Sequence, residues 1–341
     1  MLIDLHAHVV PRHFPAAGDR PDAHLWPCNE HLDGDRAQVM IDGRNFRTIT
    51  SANWDVERRL HDMAAHGADA QILSPMPELL SYWFEPSSGR DLNRFVNEQI
   101  AAMCEAAPGR FFGLGAVPLQ DPALAAAELV RVKALGLRGI EVGSNVNGAY
   151  LGEDRFREFF AEVARLELCV FVHSLKPTMA GVLPAPSMVN PILFPTETCL
   201  TIASLIGSGT AAAVPGLRIA FSHGGGTFPF LLPRYENQWR GTWNEAEPAP
   251  GTKRGTDAAE GPAALARRFF YDTLLFDRRA IRYLVELMGA SQVVVGTDYP
   301  YFPPEVPADA SLRSLGLPET SHRAITWDNA FRFLGLEPPP G

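Results

Sequence analysis

Cysteine is scarce in this sequence: Cys28, Cys104, Cys169 and Cys199 are scattered over 341 residues and form no CxxC pair. That spacing excludes a zinc ribbon and gives no support to a disulfide framework. Runs of basic residues are missing too. With 30 Lys and Arg against 39 Asp and Glu, a net charge of −9 and a pI near 5.6, the chain is acidic. It lacks the cationic face that nucleic acid or an anionic membrane surface requires. An acidic ligand must therefore be caught by individually placed arginines. No uninterrupted apolar run approaches the roughly 20 residues of a membrane span. The first residues, MLIDLHAHVVPRH, carry neither a basic leader nor an apolar stretch ending in small residues. The expectation is a cytosolic protein with no nucleic-acid or membrane partner.

What is present is an alternation of short β-branched or aromatic runs with longer amphipathic segments. Strands are expected near 2–9, 69–74, 111–118, 138–143, 169–174, 217–222, 269–275 and 292–297. Helices are expected at 55–67, 91–107, 122–136, 153–167, 196–209, 277–289 and 319–334. Asp55, Asp121, Glu153 and Asp277 stand where a carboxylate can cap a helix start, and Gly67 and Gly136 where a helix must end. Eight strands alternating with helices predict an α/β fold, a (β/α)8 TIM barrel, as a single domain over 1–341. Residues 12–54, with a hairpin signal at Asp42-Gly43, are too long for a tight loop and predict a small insertion over the barrel mouth. Residues 241–262, rich in Gly, Pro and Ala, predict a surface excursion, and the terminal Pro-Pro-Pro-Gly a frayed end.

Chemistry concentrates at the strand ends. In Asp4-Leu5-His6-Ala7-His8 the two histidines are two apart, so a regular strand turns both to one side. Two converging imidazoles bind a cation through neutral nitrogens, although HxH alone also describes two ordinary surface histidines. Three later runs favour the metal: Val170-Phe171-Val172-His173, Ile219-Ala220-Phe221-Ser222-His223-Gly224-Gly225-Gly226, and Val293-Val294-Val295-Gly296-Thr297-Asp298. In a barrel these ends share one rim, so His6, His8, His173, His223 and Asp298 converge although they are far apart in sequence. Three imidazoles and one carboxylate leave a divalent ion net positive, which suits an anionic ligand. The nitrogen-rich set suits zinc best, with manganese or another first-row ion also compatible.

These segments resemble the amidohydrolase superfamily. More narrowly they resemble the branch that contains 2-amino-3-carboxymuconate 6-semialdehyde decarboxylase and related aromatic-acid decarboxylases. The resemblance runs through IDLHAHVVP, FR at 46–47, NWD at 53–55, SYW at 81–83, RFFGLGAVPLQ, FVH, SHGGGTFPFLLPR, GTDYP and NAFRFLGL. It implies that His6, His8, His173 and Asp298 hold one divalent metal, and that His223 stands beside the ion as acid/base. It also implies that Arg47 and Arg234 grip substrate carboxylates, the second arginine reaching across from a neighbouring subunit of a homodimer. Glu141, at the fourth strand, is either a bridging ligand to a second ion or a hydrogen-bonded structural carboxylate; a single ion is the expectation. The chain departs from the branch at Ile41, where the semialdehyde decarboxylase has lysine, and at Asn190, where tryptophan is expected. Lys176 is either a replacement cation or a solvated loop residue.

The expected activity is non-oxidative decarboxylation of a small unsaturated or aromatic carboxylic acid, resembling 2-amino-3-carboxymuconate 6-semialdehyde. The alternative is a metal-dependent hydrolase or hydratase of the same superfamily, and a third reading is a metal-bearing barrel that binds without catalysing. Trp26, Trp54, Tyr82, Trp83, Phe228 and Tyr299 are either pocket walls or core.

Overall fold

The computed structural model describes residues 1–240 and 260–338. Its strands in chain order are β1 (Ile3–Val9), β2 (Cys28–His31), β3 (Arg36–Ile41), β4 (Arg44–Thr50), β5 (Ala70–Pro75), β6 (Phe111–Gly115) and β7 (Gly139–Gly143). There follow β8 (Asn145–Val146), β9 (Ala149–Tyr150), β10 (Cys169–His173), β11 (Arg218–Phe221), β12 (Phe270–Asp272) and β13 (Val293–Val294). Eight of them, in the order β1-β5-β6-β7-β10-β11-β12-β13, form one parallel sheet. The sheet closes on itself: Leu5 N donates to Val295 O at 2.8 Å and His8 N to Tyr299 O at 2.7 Å. This is the expected TIM barrel, and each barrel strand falls within two residues of a predicted start.

Capping chemistry explains several helix starts. Asp55 accepts from Arg58 N, Asp121 from Ala123 N and Leu124 N, and Asp277 from Arg279 N, each meeting a free N–H of the first turn. Glu153 is an exception: its side chain makes no cap hydrogen bond and instead lies 3.2 Å from Arg155. Among the helices outside the expected set are Phe228–Trp239 and Pro262–Ala266. Their prolines and flanking glycines mask a helical pattern that packing supplies.

Two buried clusters fill the barrel and its shell. Ile3, Leu5, Ile72, Leu114, Phe171 and Ala220 pack with Trp327 and Phe331 near the chain's end. A larger layer lies between sheet and helices. The helical stretch Pro186–Gly207 is apolar and long enough to match a membrane span by composition. It is nevertheless part of the barrel's outer layer, where Glu197, Thr198 and Thr201 are fully buried and Thr201 Oγ1 donates to Ser144 O at 2.6 Å.

Between β1 and the first barrel helix, β2-β3-β4 form a separate antiparallel sheet. Asp42 and Gly43, at φ 53° and 65°, make the tight turn joining β3 to β4. Ala37, Val39 and Ile49 anchor this sheet in the main core, while most of β4 is exposed. Of residues 241–262, only 260–262 are described, so the excursion expected there lies outside the described residues, as do 339–341 of the terminal tail.

Candidate metal centre

The strand ends bring five side chains together at the barrel mouth. Ligand atoms of His6, His173, His223 and Asp298 all lie within 4.8 Å of one another. His8 Nε2 joins them, 3.0 Å from His6 Nε2 and 3.1 Å from Asp298 Oδ1. β1 shifts register between Asp4 and Ala7, so strict two-residue alternation is interrupted at the HxH pair, yet the two imidazoles still converge.

Each of the three expected histidine ligands is oriented through its Nδ1. His6 Nδ1 lies 2.7 Å from Asp272 Oδ2, His8 Nδ1 2.9 Å from Pro75 O, and His173 Nδ1 2.8 Å from Ser174 O. With Nδ1 acting as donor in each, the Nε2 lone pairs are left for an ion, the usual tautomer selection at metal sites. His173 Nε2, His223 Nδ1 and Asp298 Oδ1 are buried with no hydrogen-bond partner among the described residues. Unpaired acceptors at this depth are costly, and a cation satisfies those of His173 and Asp298 together. The residues fit a divalent metal.

The backbone is bent to make this possible. His223 and Asp298 have φ of 54° and 60°, a left-handed conformation that costs on the order of 1–3 kcal/mol for a non-glycine residue. A Cβ on Gly296 would come within 2.7 Å of Asp272 Cβ and 2.9 Å of His6 Cβ, so the residue before Thr297 has room for hydrogen alone. Gly226, at φ 62°, presses against the Pro195 carbonyl and lets the chain turn out of the His223 loop.

Two carboxylates that carry the site escaped the sequence reading. Asp272, at the end of β12, accepts from Gly224 N at 2.9 Å and Leu274 N at 3.1 Å as well as facing His6. Burial opposes its ionisation, but the contact with His6 prevails and its pKa is lowered. The signal was available, since Phe270-Tyr271-Asp272 ends an apolar run in a carboxylate like the other strands. Asp4 accepts from Thr297 Oγ1 at 2.6 Å and Thr297 N at 3.0 Å, tying the first strand to the last. Asp272 and Asp4 place further acidic groups behind His6, so the net positive charge expected of the ligands alone is reduced, and Arg47 is the cation that lines the cavity to attract an acid. Replacing Asp272 by Asn should weaken metal affinity by about 10–100-fold, the usual effect of losing such a support. Metal titration of the purified variant checks this; unchanged affinity would remove Asp272 from that role.

Electrostatics separate the histidines. Burial lowers His6, but Asp298 and Asp272 outweigh it and raise the ring to about 9, so an ion at Nε2 takes the place of a proton. Burial, with the nearby charge of His6, pushes His223 down to about 4, so its ring is neutral near pH 7. Glu141 Oε2 lies 3.5 Å from His8 Nδ1, on the side of that ring away from the converging Nε2 atoms. The Ser74 hydroxyl is its side-chain hydrogen-bonding neighbour, in keeping with the structural carboxylate expected. Burial holds its carboxyl well above the usual carboxylate range. A carboxyl group behind His8 is not placed to bridge two ions.

The cluster opens into a cavity of about 210 Å³ lined by His8, Arg47, Glu78, His173, Asn190, His223, Asp298 and Tyr301, among others. Arg47 reaches it from β4, its guanidinium 4.0 Å from the centre of the Tyr301 ring, which in turn stacks on His8 at 5.5 Å. Asn190 enters from a π-helical turn, Val189–Leu193. The cavity's aromatic walls are Phe194, Tyr301 and Phe302. Trp26, Tyr82, Phe228 and Tyr299 are buried in the core instead. Lys176 lies over Trp83, 3.1 Å from its ring centre, beside a neighbouring cavity. Arg234 does not line the metal cavity of its own chain; it is exposed on the helix Phe228–Trp239.

Comparison with known proteins follows the same outline. The family described as amidohydrolase matches residues 3–336. A 2-amino-3-carboxymuconate-6-semialdehyde decarboxylase of Dictyostelium discoideum is 35% identical over 342 residues, covering 99% of this chain and 92% of the relative. A 5-carboxyvanillate decarboxylase of Sphingomonas paucimobilis superposes with a TM-score of 0.78 at 25% identity, covering 98% of this chain and 99% of that one. A dihydroxybenzoic acid decarboxylase of Polaromonas, solved with manganese and the inhibitor 2-nitroresorcinol, shares the fold with a TM-score of 0.73 at 23% identity, covering 98% and 96%.

Proposed function

Because this chain belongs to the amidohydrolase family, we propose that it is a metal-dependent carboxy-lyase that removes CO2 without oxidation from a small aromatic or unsaturated carboxylic acid. One observation carries the reading: Arg47 faces the His/Asp cluster across a small cavity with aromatic walls. At about 210 Å³ the space is below the roughly 300–1,000 Å³ of sites for drug-sized ligands, and suits a single ring or a short unsaturated chain.

We assign His6, His8, His173 and Asp298 as the ligands of one divalent ion. The nitrogen-rich set favours zinc, and manganese is the ion in the Polaromonas relative. Bound there, the ion supplies Lewis-acid charge for the oxygens of the substrate. The chain's own groups do the rest. Arg47 pairs with a carboxylate through its guanidinium fork and orients the acid. Phe194 and Phe302 exclude water. His223, neutral at the outset, takes up a proton and delivers it to the carbon that loses its carboxylate. The new C–H bond uses a π pair of the substrate and a proton drawn from solvent through His223; the C–C bond then breaks, CO2 leaves, and the pair of that bond restores the π system.

Arg234 has its place in a homodimer, in which it enters a partner's cavity. Phe230 and Leu231, 78% and 43% exposed on the same helix, give that face an apolar patch suited to a second copy. Light scattering on the purified chain reads the assembly directly, and a monomer at micromolar concentration would withdraw this role.

The decisive assay offers the metal-loaded enzyme a panel of hydroxybenzoates, carboxyvanillates, muconate semialdehydes, amides and lactones. CO2 release is expected; hydrolysis without CO2 would replace the lyase by a hydrolase. Arg47→Ala should raise KM by about 10–100-fold, the worth of a charge-assisted pair, with the fold intact. An unchanged KM for the preferred acid would take Arg47 out of the binding site.

A further inference from the structure

We infer that Glu78 is a specificity-determining residue that accepts a hydrogen bond from a hydroxyl or amino group next to the carboxylate of the substrate. This rests on the decarboxylase reading for its chemistry, and on the cavity alone for its geometry. Glu78 lies in the short turn Pro77–Leu80 that follows β5, and lines one cavity with Arg47 of the insertion and His8 of β1. Its side chain lines the same cavity as Arg47, Tyr301, His223 and Asp298.

The cavity wall has few acceptors. Of its two carboxylates, Asp298 is turned to His6 and His8, at 3.5 Å and 3.1 Å, which leaves Glu78 for a ligand. Among the described residues, no hydrogen bond or ion pair joins the Glu78 carboxylate to another side chain. Burial raises its pKa while the charge of Arg47 opposes that rise, so the two groups share one electrostatic environment without closing into a pair. A half-buried carboxylate at the cavity wall is free to accept from a donor that enters. Arg47 offers donors only. Together they read a molecule with a carboxylate at one position and an O–H or N–H at the next. A second carboxylate facing Glu78 meets like charge and is disfavoured.

The test measures binding rather than turnover, on the full chain loaded with manganese. Calorimetry compares salicylate with 2-methoxybenzoate, and anthranilate with 2-(dimethylamino)benzoate, for the wild type, Glu78→Ala and the isosteric Glu78→Gln. The bound ion also favours a phenol over its ether, so the reading is the change in each preference between proteins of equal metal content. Loss of one charge-assisted hydrogen bond should shrink the donor preference by about 10–100-fold in Glu78→Ala, and by less in Glu78→Gln, whose carbonyl still accepts. A preference untouched by both substitutions, or a wild type indifferent to the donor, overturns the inference. If the preference shifts as expected but no acid on the panel releases CO2, the decarboxylase reading fails while the role of Glu78 stands.

Discussion

Replacing Asp298 by alanine is expected to strip the ion from the protein and to lower kcat/KM by at least about 10³-fold, since a bound cation is worth several kcal/mol of charge stabilisation. Asp298 is the one carboxylate among the assigned ligands. Burial opposes its ionisation, but His6 and His8 hold its carboxyl well below the usual carboxylate range. Without it, three imidazoles and His223 crowd a buried site with no anion among the groups that face the ion, and each protonation there repels the metal further. Asp298→Asn keeps the shape without the charge and should fall between the two. Elemental analysis, read beside activity, checks the claim. Stoichiometric metal in Asp298→Ala would mean that the ion sits elsewhere.

His223→Ala should behave differently: a full metal complement, with kcat lowered by about 10²–10⁴-fold, the range for loss of a general acid/base. His223 belongs to the converging cluster by distance, so geometry places it close enough to ligate. What separates it from the three assigned histidines is its Nδ1. Theirs are engaged by Asp272, Pro75 and Ser174, whereas that of His223 has no partner among the described residues. A ring left untethered on that side is suited to carrying a proton rather than holding an ion. Metal loss in His223→Ala equal to that in Asp298→Ala would move the residue into the ligand set. Retained metal with retained activity would remove it from the chemistry.

Much of this was legible in one dimension because barrel strands and helices are locally encoded. Apolar runs ending in His173, His223 or Asp298 carry both the strand and its functional end, and Asp55, Asp121 and Asp277 mark helix starts by their own hydrogen bonds. Where the local signal is blurred, as in the proline-bearing Phe228–Trp239, the helix went unread. Residues that act through contact were also hidden. Asp272 gains its role from His6, 266 positions away, and Asp4 from Thr297, 293 positions away. Tyr301 matters because it lies between Arg47 and His8, and Glu78 because a turn after β5 faces the insertion across a cavity. Sequence determined the barrel and its rim and pointed to the side chains that converge there, since each depends on residue type and short-range periodicity. Tertiary structure decided which nitrogen of each imidazole is free, which carboxylates stay charged and which arginine enters the cavity. Those properties depend on distance and burial, which arise once the first strand has closed against the last.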